Sequence, residues 1–248
     1  MSLPTLTAKE VQALFTSPIA YAVIAVFIVL SGYTFTVTLF VSKQATLVHI
    51  FFQAAIQLIL LVPLITMRQF AEERRSGTLE LLLTAPVREI EIVGAKFLAS
   101  MVVVAAMTSL TLIYAVVLAV YGQPDWGPIY SGYLGVLLLG AALVSIGLMI
   151  SALTANQIVA AVVSLGLFGI LWAIDTLAAL LPQPFENWLL GLSLLAHFTP
   201  FAVGAMYVSD FGFFLSVVRQ QLLPAIHGGG SPARSKAQPS EPASRYRP

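Results

Sequence analysis

The sequence predicts an all-α polytopic transmembrane bundle of about six spans, and three observations predict it. Of 248 residues, 58% are hydrophobic and only 9% charged, far fewer ions than a water-facing surface of this size needs. Apolar stretches of roughly 20 residues recur, the length a helix needs to cross hydrocarbon while satisfying its own backbone hydrogen bonds. The ions are also gathered: of twelve basic and eleven acidic side chains, ten lie between Arg68 and Lys96.

Composition excludes several classes. No cysteine occurs, which removes disulfides, thiolate catalysis and cysteine zinc sites. A formal charge of +1 without a basic stripe argues against a nucleic-acid partner. The first residues lack the charged, apolar and small-residue sequence of a cleaved secretory signal, so the first apolar segment is expected to remain as a span.

In chain order, "LPTLTAKEVQALFTSP" predicts a short interfacial helix: Leu6, Val11, Leu14 and Phe15 share a face, Lys9, Glu10 and Gln12 oppose it, and Pro18 ends it. Spans follow near 19–41, 46–67, 97–120, 131–153 and 158–181, with a sixth within 189–218. Arg68, Arg74, Arg75, Arg88 and Lys96 separate the second and third, whereas 97–218 has no Lys or Arg; basic loops stay inside, so this loop and the N-terminus are expected in the cytoplasm. Tyr121, Trp126, Tyr130 and Trp188 would then form an aromatic belt at the outer boundary. The permease-like part is read as 1–218. From 224 onward, three glycines, repeated prolines and few apolar residues predict a disordered tail, cytoplasmic by its basic excess. The apolar run Phe211–Val218 covers only about 12 Å of a roughly 30 Å core. That leaves the last span either truncated or shifted back to begin near Phe201 with Asp210 in the membrane.

The charged loop has internal order. Residues 68–76 extend the second span as a polar helix, Gly77 permits a turn, Thr78 can cap a new helix and Glu80 sits in its first turn. Leu79, Leu82 and Leu83 would form one apolar face before Thr84 to Pro86 end it. An apolar ridge with an ionic rim suits docking, because the ridge supplies a desolvated centre and the ions fix register. A solvated loop that merely marks topology is the plainer reading of the same pattern.

The run "EERRSGTLELLLTAPV" resembles the signature of ABC-2-type transporter permeases, with Glu72, Glu73, Gly77, Thr78, Glu80, Leu82, Leu83 and Pro86 at matching places. The order of amphipathic helix, two spans, loop and three closely spaced spans is also similar. Over about residues 1–218 the likeness is nearest to the compact permeases grouped with gliding-motility and copper-site-maturation systems. The resemblance implies that Glu72, Glu73, Arg74, Arg75, Gly77, Thr78, Leu79, Glu80, Leu82 and Leu83 belong to a coupling helix seated in a separate cytoplasmic ABC ATPase. It further implies a second permease chain, identical or not, and residence in a bacterial inner membrane. ATP and magnesium would be bound by the ATPase and no cofactor by this chain, which has no G-x-x-x-x-G-K-[ST] loop to cradle phosphates. On that reading the chain is not itself an enzyme.

The remaining candidates are weaker. The hydroxyl-rich part of span one, with Tyr33, Thr34 and Thr38, is the candidate lining of a translocation path. Asp175 and Asp210 are acidic groups near membrane boundaries. Gly140, Gly147 and Ser151, then Ala160, Ser164, Gly169 and Ala173, recur at helical spacing and are read as packing positions. His49, His197 and His227 are too far apart for a metal motif. Ser193 and His197, one turn apart, lack the further groups a hydrolase needs. The competing function is an ATP-independent carrier or a membrane scaffold; a carrier would be expected to bury paired ionisable groups at mid-membrane.

Overall fold

The structure, a computed structural model, describes residues 3–43, 45–76, 88–183 and 185–236. Among these residues there are helices and no strands. Helix α1 (Leu3–Thr16) ends at Ser17, whose hydroxyl accepts from Ile19 N at 3.4 Å to cap α2 (Pro18–Val37). Pro18 fits this junction because the first helical position needs no N–H donor. A π-helical turn, Thr38–Ser42, closes α2, and left-handed Lys43 ends it. Then come α3 (Val48–Ser76), α4 (Glu89–Leu110) and α5 (Leu112–Tyr121). α6 (Trp126–Leu153) and α7 (Gln157–Ala178) follow, capped by the side chains of Asp125 and Asn156. The last helices among the described residues are α8 (Phe185–Leu190), α9 (Leu194–Val203) and α10 (Val208–Lys236).

Among the described residues, five segments are long and apolar enough to cross a membrane: Pro18–Val41, Val48–Ala71, Glu89–Tyr121, Trp126–Leu153 and Gln157–Ala178. Each overlaps one of the five expected from the sequence, the third beginning at Glu89 and the fourth at Trp126, both earlier than expected. The third joins α4 and α5 through Thr111, whose hydroxyl donates to Thr108 O at 2.7 Å and so answers the local loss of helix bonding within the chain.

Among the described residues, the stretch expected to hold a sixth span contains one shorter apolar helix, Leu194–Val203, and none long and apolar enough to cross a membrane. Residues 189–218 hold the end of α8, all of α9 and only the first part of α10. α9 lies beside the beginning of α6, where Gly204 packs on Pro128; its φ of 96°, a conformation glycine adopts freely, turns the chain into α10. α10 then runs back along α6 and α4. From Val208 to buried Ala225 is about 26 Å at 1.5 Å per residue, nearly the thickness of the hydrocarbon. α10 therefore reaches well past Val218. Residues 224–236, expected as disordered tail, carry helical backbone, because Ala225 and Ile226 still pack against the core; residues 237–248 lie outside the described set.

α6 is the hub, packed against α3, α4, α7, α9 and α10. Close approach sets its sequence: a side chain at Gly147 would strike Thr66 of α3, and one at Gly140 would sit 2.7 Å from Val104 of α4. The packing role read for these two glycines holds. In α7, Ala160 and Ser164 are buried, but Gly169 and Ala173 face outward, with nothing within 4 Å of a side chain at Gly169.

Candidate functional site at the charged end of the bundle

Short connections fix which helix ends lie together. The start of α2, the end of α3, the start of α4 and the α6–α7 turn share one end of the bundle. Tyr121, Trp126, Tyr130 and Trp188 belong to the other, all four exposed or half-exposed and Trp126 stacked on Tyr130. The ionic stretch leaves the apolar bundle at the first end, along the last turns of α3.

The charged end is organised around Lys96, only 1% exposed although it sits in α4. Its ammonium donates to Glu73 Oε1 of α3 at 2.7 Å and to Glu10 Oε2 of α1 at 3.2 Å, and lies 5.2 Å from the centre of the Phe70 ring. A buried ammonium is tolerated only when its charge is paired and its protons are bonded. Burial is the largest influence on the Glu73 carboxyl and holds it above its ordinary range; Lys96 opposes that effect without cancelling it. Glu10 departs from the expected face of α1. Leu6, Glu10 and Leu14 follow one another at four-residue spacing, and this row packs across α4, so Glu10 turns inward.

Five further bonds tie the base of the charged stretch to its neighbours. Arg68 Nη1 donates to Ser17 Oγ at 3.0 Å, linking α3 to the α1–α2 junction. Gln69 Nε2 donates to Ser100 Oγ at 3.0 Å, linking α3 to α4. Ser151 Oγ of α6 accepts from Phe70 N at 3.2 Å and Ala71 N at 3.3 Å, and donates to Met67 O at 3.2 Å. A side chain thus grips the α3 backbone where the helix turns from apolar to ionic. On the far side of residues 77–87, Glu91 Oε2 accepts from Arg88 N at 3.2 Å, starting α4, and Glu89 and Glu91 complement the positive end of that helix.

Of the residues expected to dock an ATPase, Glu72, Arg74 and Arg75 lie on the last turns of α3. Glu73 joins Lys96 while its side chain stays 25% exposed. Gly77, Thr78, Leu79, Glu80, Leu82 and Leu83 lie outside the described residues.

The expected translocation lining is not brought onto one surface of the chain. Tyr33 is 70% exposed, Thr38 is buried, and Thr34 donates to Leu30 O of its own helix at 3.1 Å. Ser31, which belongs to the same hydroxyl-rich part of span one, donates to Gln57 Oε1 at 3.1 Å, both side chains buried, and Gln57 is the partner that the sequence pattern does not mark. Ser193 and His197 make no hydrolytic pair: the serine hydroxyl accepts from Ala196 N as the cap of α9, and the imidazole meets the Ser193 carbonyl and stacks on Phe213.

Residues 5–214 match the family described as ABC-2 family transporter protein. The chain belongs to the ABC-2 transporter family. Among curated proteins no sequence matches it. With five apolar segments long enough to cross a bilayer among the described residues, this ABC-2 family member is a multi-pass membrane protein. The match takes in α1, so the helix that carries Glu10 is part of the family domain.

Proposed function

We propose that this chain is the permease subunit of an ABC-2-type transporter, moving its cargo with ATP hydrolysed by a separate cytoplasmic ATPase bound at residues 72–83. The observation that carries this reading is the anchoring of the α3 end. Glu73 reaches Lys96 and Glu10, Gln69 reaches Ser100, and Ser151 holds the backbone at Phe70 and Ala71. A displacement imposed beyond Ser76 therefore passes at once to α1, α4 and α6. A topology marker needs no such bracing; a lever does, because force is transmitted only through elements that move together.

The working unit is taken as two permease chains with two ATPase chains in a bacterial inner membrane, the charged end, the N-terminus and the end of α10 facing the cytoplasm. Family likeness and the basic loop support that orientation. The nucleotide chemistry is assigned to the partner, since no phosphate-cradling loop occurs in this sequence.

The test is copurification of an ATPase from native membranes in mild detergent. Charge reversal at Glu72 and Glu80 should weaken its recovery, and deletion of 72–83 should abolish it. Glu73 is unsuitable for this purpose because it also pairs with Lys96. Undiminished recovery after both changes would exclude docking through this segment.

A further inference from the structure

The outer face of α10 carries an arginine without a partner. Gly212, Leu215, Ser216, Arg219, Gln220 and Leu223 are all exposed and follow one another at helical spacing, so they form one stripe. An open cavity of about 460 Å³ runs over it from Leu215 to Leu223. Contacts of α9 fix the level of this stripe. Gly204 packs on Pro128 at the start of α6, and a side chain at Gly135 would meet Phe201, whose ring lies 5.0 Å from Phe211 and 6.2 Å from Phe214 of α10. Residues 211–214 therefore sit near Gly135, and Arg219, five to eight residues on, sits between the levels of Gly140 and Leu143. At 1.5 Å per residue that is about 21–26 Å from Trp126 and about 12–17 Å from Ser151. Arg219 thus lies deep between the two ends of a segment long and apolar enough to cross the membrane.

A cation at that depth is costly unless an anion meets it. Among the described residues Arg219 makes no hydrogen bond or ion pair. Its nearer boundary lies toward the C-terminal end of α10, whereas helical side chains lean toward the N-terminus, so snorkelling offers little relief. The chain has no acid to offer at this level. Asp210, nine positions earlier, is buried on the opposite face of α10. Asp175 lies on the inward stripe of α7 with buried Phe168 and Ala178. Measured from the α6–α7 turn it is also about 7–12 Å farther out than Arg219, which keeps it from serving a second copy of the chain. The other acids among the described residues lie at the two ends of the bundle, as lipid phosphates lie at the two boundaries.

We propose that this face of α10 docks a transmembrane helix of a different protein, one that carries an aspartate or glutamate level with Arg219. The guanidinium fork meets a carboxylate in two parallel hydrogen bonds. Gly212 and Ser216, four residues apart, allow the close backbone approach on which membrane helix pairs rely, and nothing lies within 4 Å of a side chain at Gly212. Leu215 and Leu223, four residues to either side of Arg219, give the apolar contact that closes over the ion pair. A carboxylate on a helix is fixed at this depth, whereas the headgroup of an amphiphile only passes it. Docking here needs neither ATP nor an ATPase, so its test stands apart from that of the transport reading.

The test uses full-length protein in phosphatidylcholine vesicles, with one dye on Tyr207→Cys, an exposed position ahead of α10 in a chain without cysteine. Energy transfer is measured to acceptor-labelled leucine-alanine peptides of about 22 residues, with Glu, Gln or Lys at the centre or Glu one turn from an end. The central-Glu peptide should bind about tenfold more tightly than any other. Arg219→Leu should erase that preference without lowering the unfolding midpoint, because the side chain is exposed. Arg219→Glu should transfer the preference to the Lys peptide, an exchange that a general loss of structure cannot produce. Dodecyl phosphate at the same mole fraction should not displace the central-Glu peptide. Equal binding of the Glu and Gln peptides overturns the proposal, as does a preference that survives Arg219→Leu. Displacement by dodecyl phosphate would make the face a site for an anionic amphiphile, and Arg219-dependent energy transfer between two labelled copies of the chain would make the occupant a second copy. Either result overturns it as well.

Discussion

Lys96 Nζ sits 2.7 Å from Glu73 Oε1, joining two helices whose intervening loop is the most ionic part of the chain. The ammonium is buried and serves Glu10 as well, so its removal leaves two carboxylates facing each other in a desolvated place. Lys96→Met should therefore cost about 3 kcal/mol, as breaking a buried ion pair does. Adding Glu10→Gln and Glu73→Gln should restore much of the loss, because the stranded charges go with the lysine. Unfolding midpoints in detergent check both; a triple variant no better than Lys96→Met would contradict the charge explanation.

The same group predicts a pH dependence. Burial raises the Glu73 carboxyl above its ordinary value of 4.5, so between 4.5 and that higher value the folded state holds a proton that the unfolded state has released. Stability from this group is full below 4.5 and is lost as pH rises through the folded value. The unfolding midpoint of the wild type should thus fall relative to Glu73→Gln as pH increases from 4.5, then run parallel. A difference that grows the other way would mean that Lys96, and not burial, governs this carboxyl.

Hydropathy runs along the chain, which is why the five apolar spans were legible to within a few residues, except that the third begins earlier, at Glu89. Contacts between distant segments were not. Lys96 reads as one more basic residue obeying the inside rule until α1 is laid across α4 and brings Glu10 to it from 86 positions away. In the sequence Glu10 groups with the polar Lys9 and Gln12 opposite the apolar face of Leu6, Val11, Leu14 and Phe15, which places it toward solvent. α10 was hidden for a different reason: Arg219, Gln220 and Gln221 dilute its apolar character, and only the burial of Ala225 reveals that the helix continues along the bundle. Ser151 was read as a small packing residue, which it is; its hydroxyl gives it a second task that spacing cannot show.

Glycines in α6 and α7 should respond oppositely to the same substitution. Gly147→Ala puts a methyl group into Thr66 and should cost about 1–3 kcal/mol, the usual penalty of overpacking. At Gly169 the added carbon meets nothing, and alanine's better helix propensity makes Gly169→Ala neutral or stabilising by up to about 1 kcal/mol. At this chain length 1 kcal/mol moves a midpoint by about 2–4 °C, so thermal unfolding separates the two. Similar behaviour at both positions would show that α6 is not the close-packed hub.

Ser151 offers the sharpest local test, because its hydroxyl meets main-chain groups of α3 and not a side chain. Ser151→Ala removes an acceptor from Phe70 N and Ala71 N and a donor from Met67 O. Backbone groups at this depth have little water to turn to, so the loss should be about 1 kcal/mol of local stability, or about fivefold faster amide exchange at residues 70 and 71. Amides near the middle of α6 should keep their protection, since Gly140 and Gly147 still pack as before. If α3 transmits force from the ionic loop, the same variant should also lower the ATPase stimulation produced by the permease while leaving ATPase recovery unchanged. Faster exchange with full stimulation would limit Ser151 to holding the helix together. Slower exchange would contradict the bonding itself.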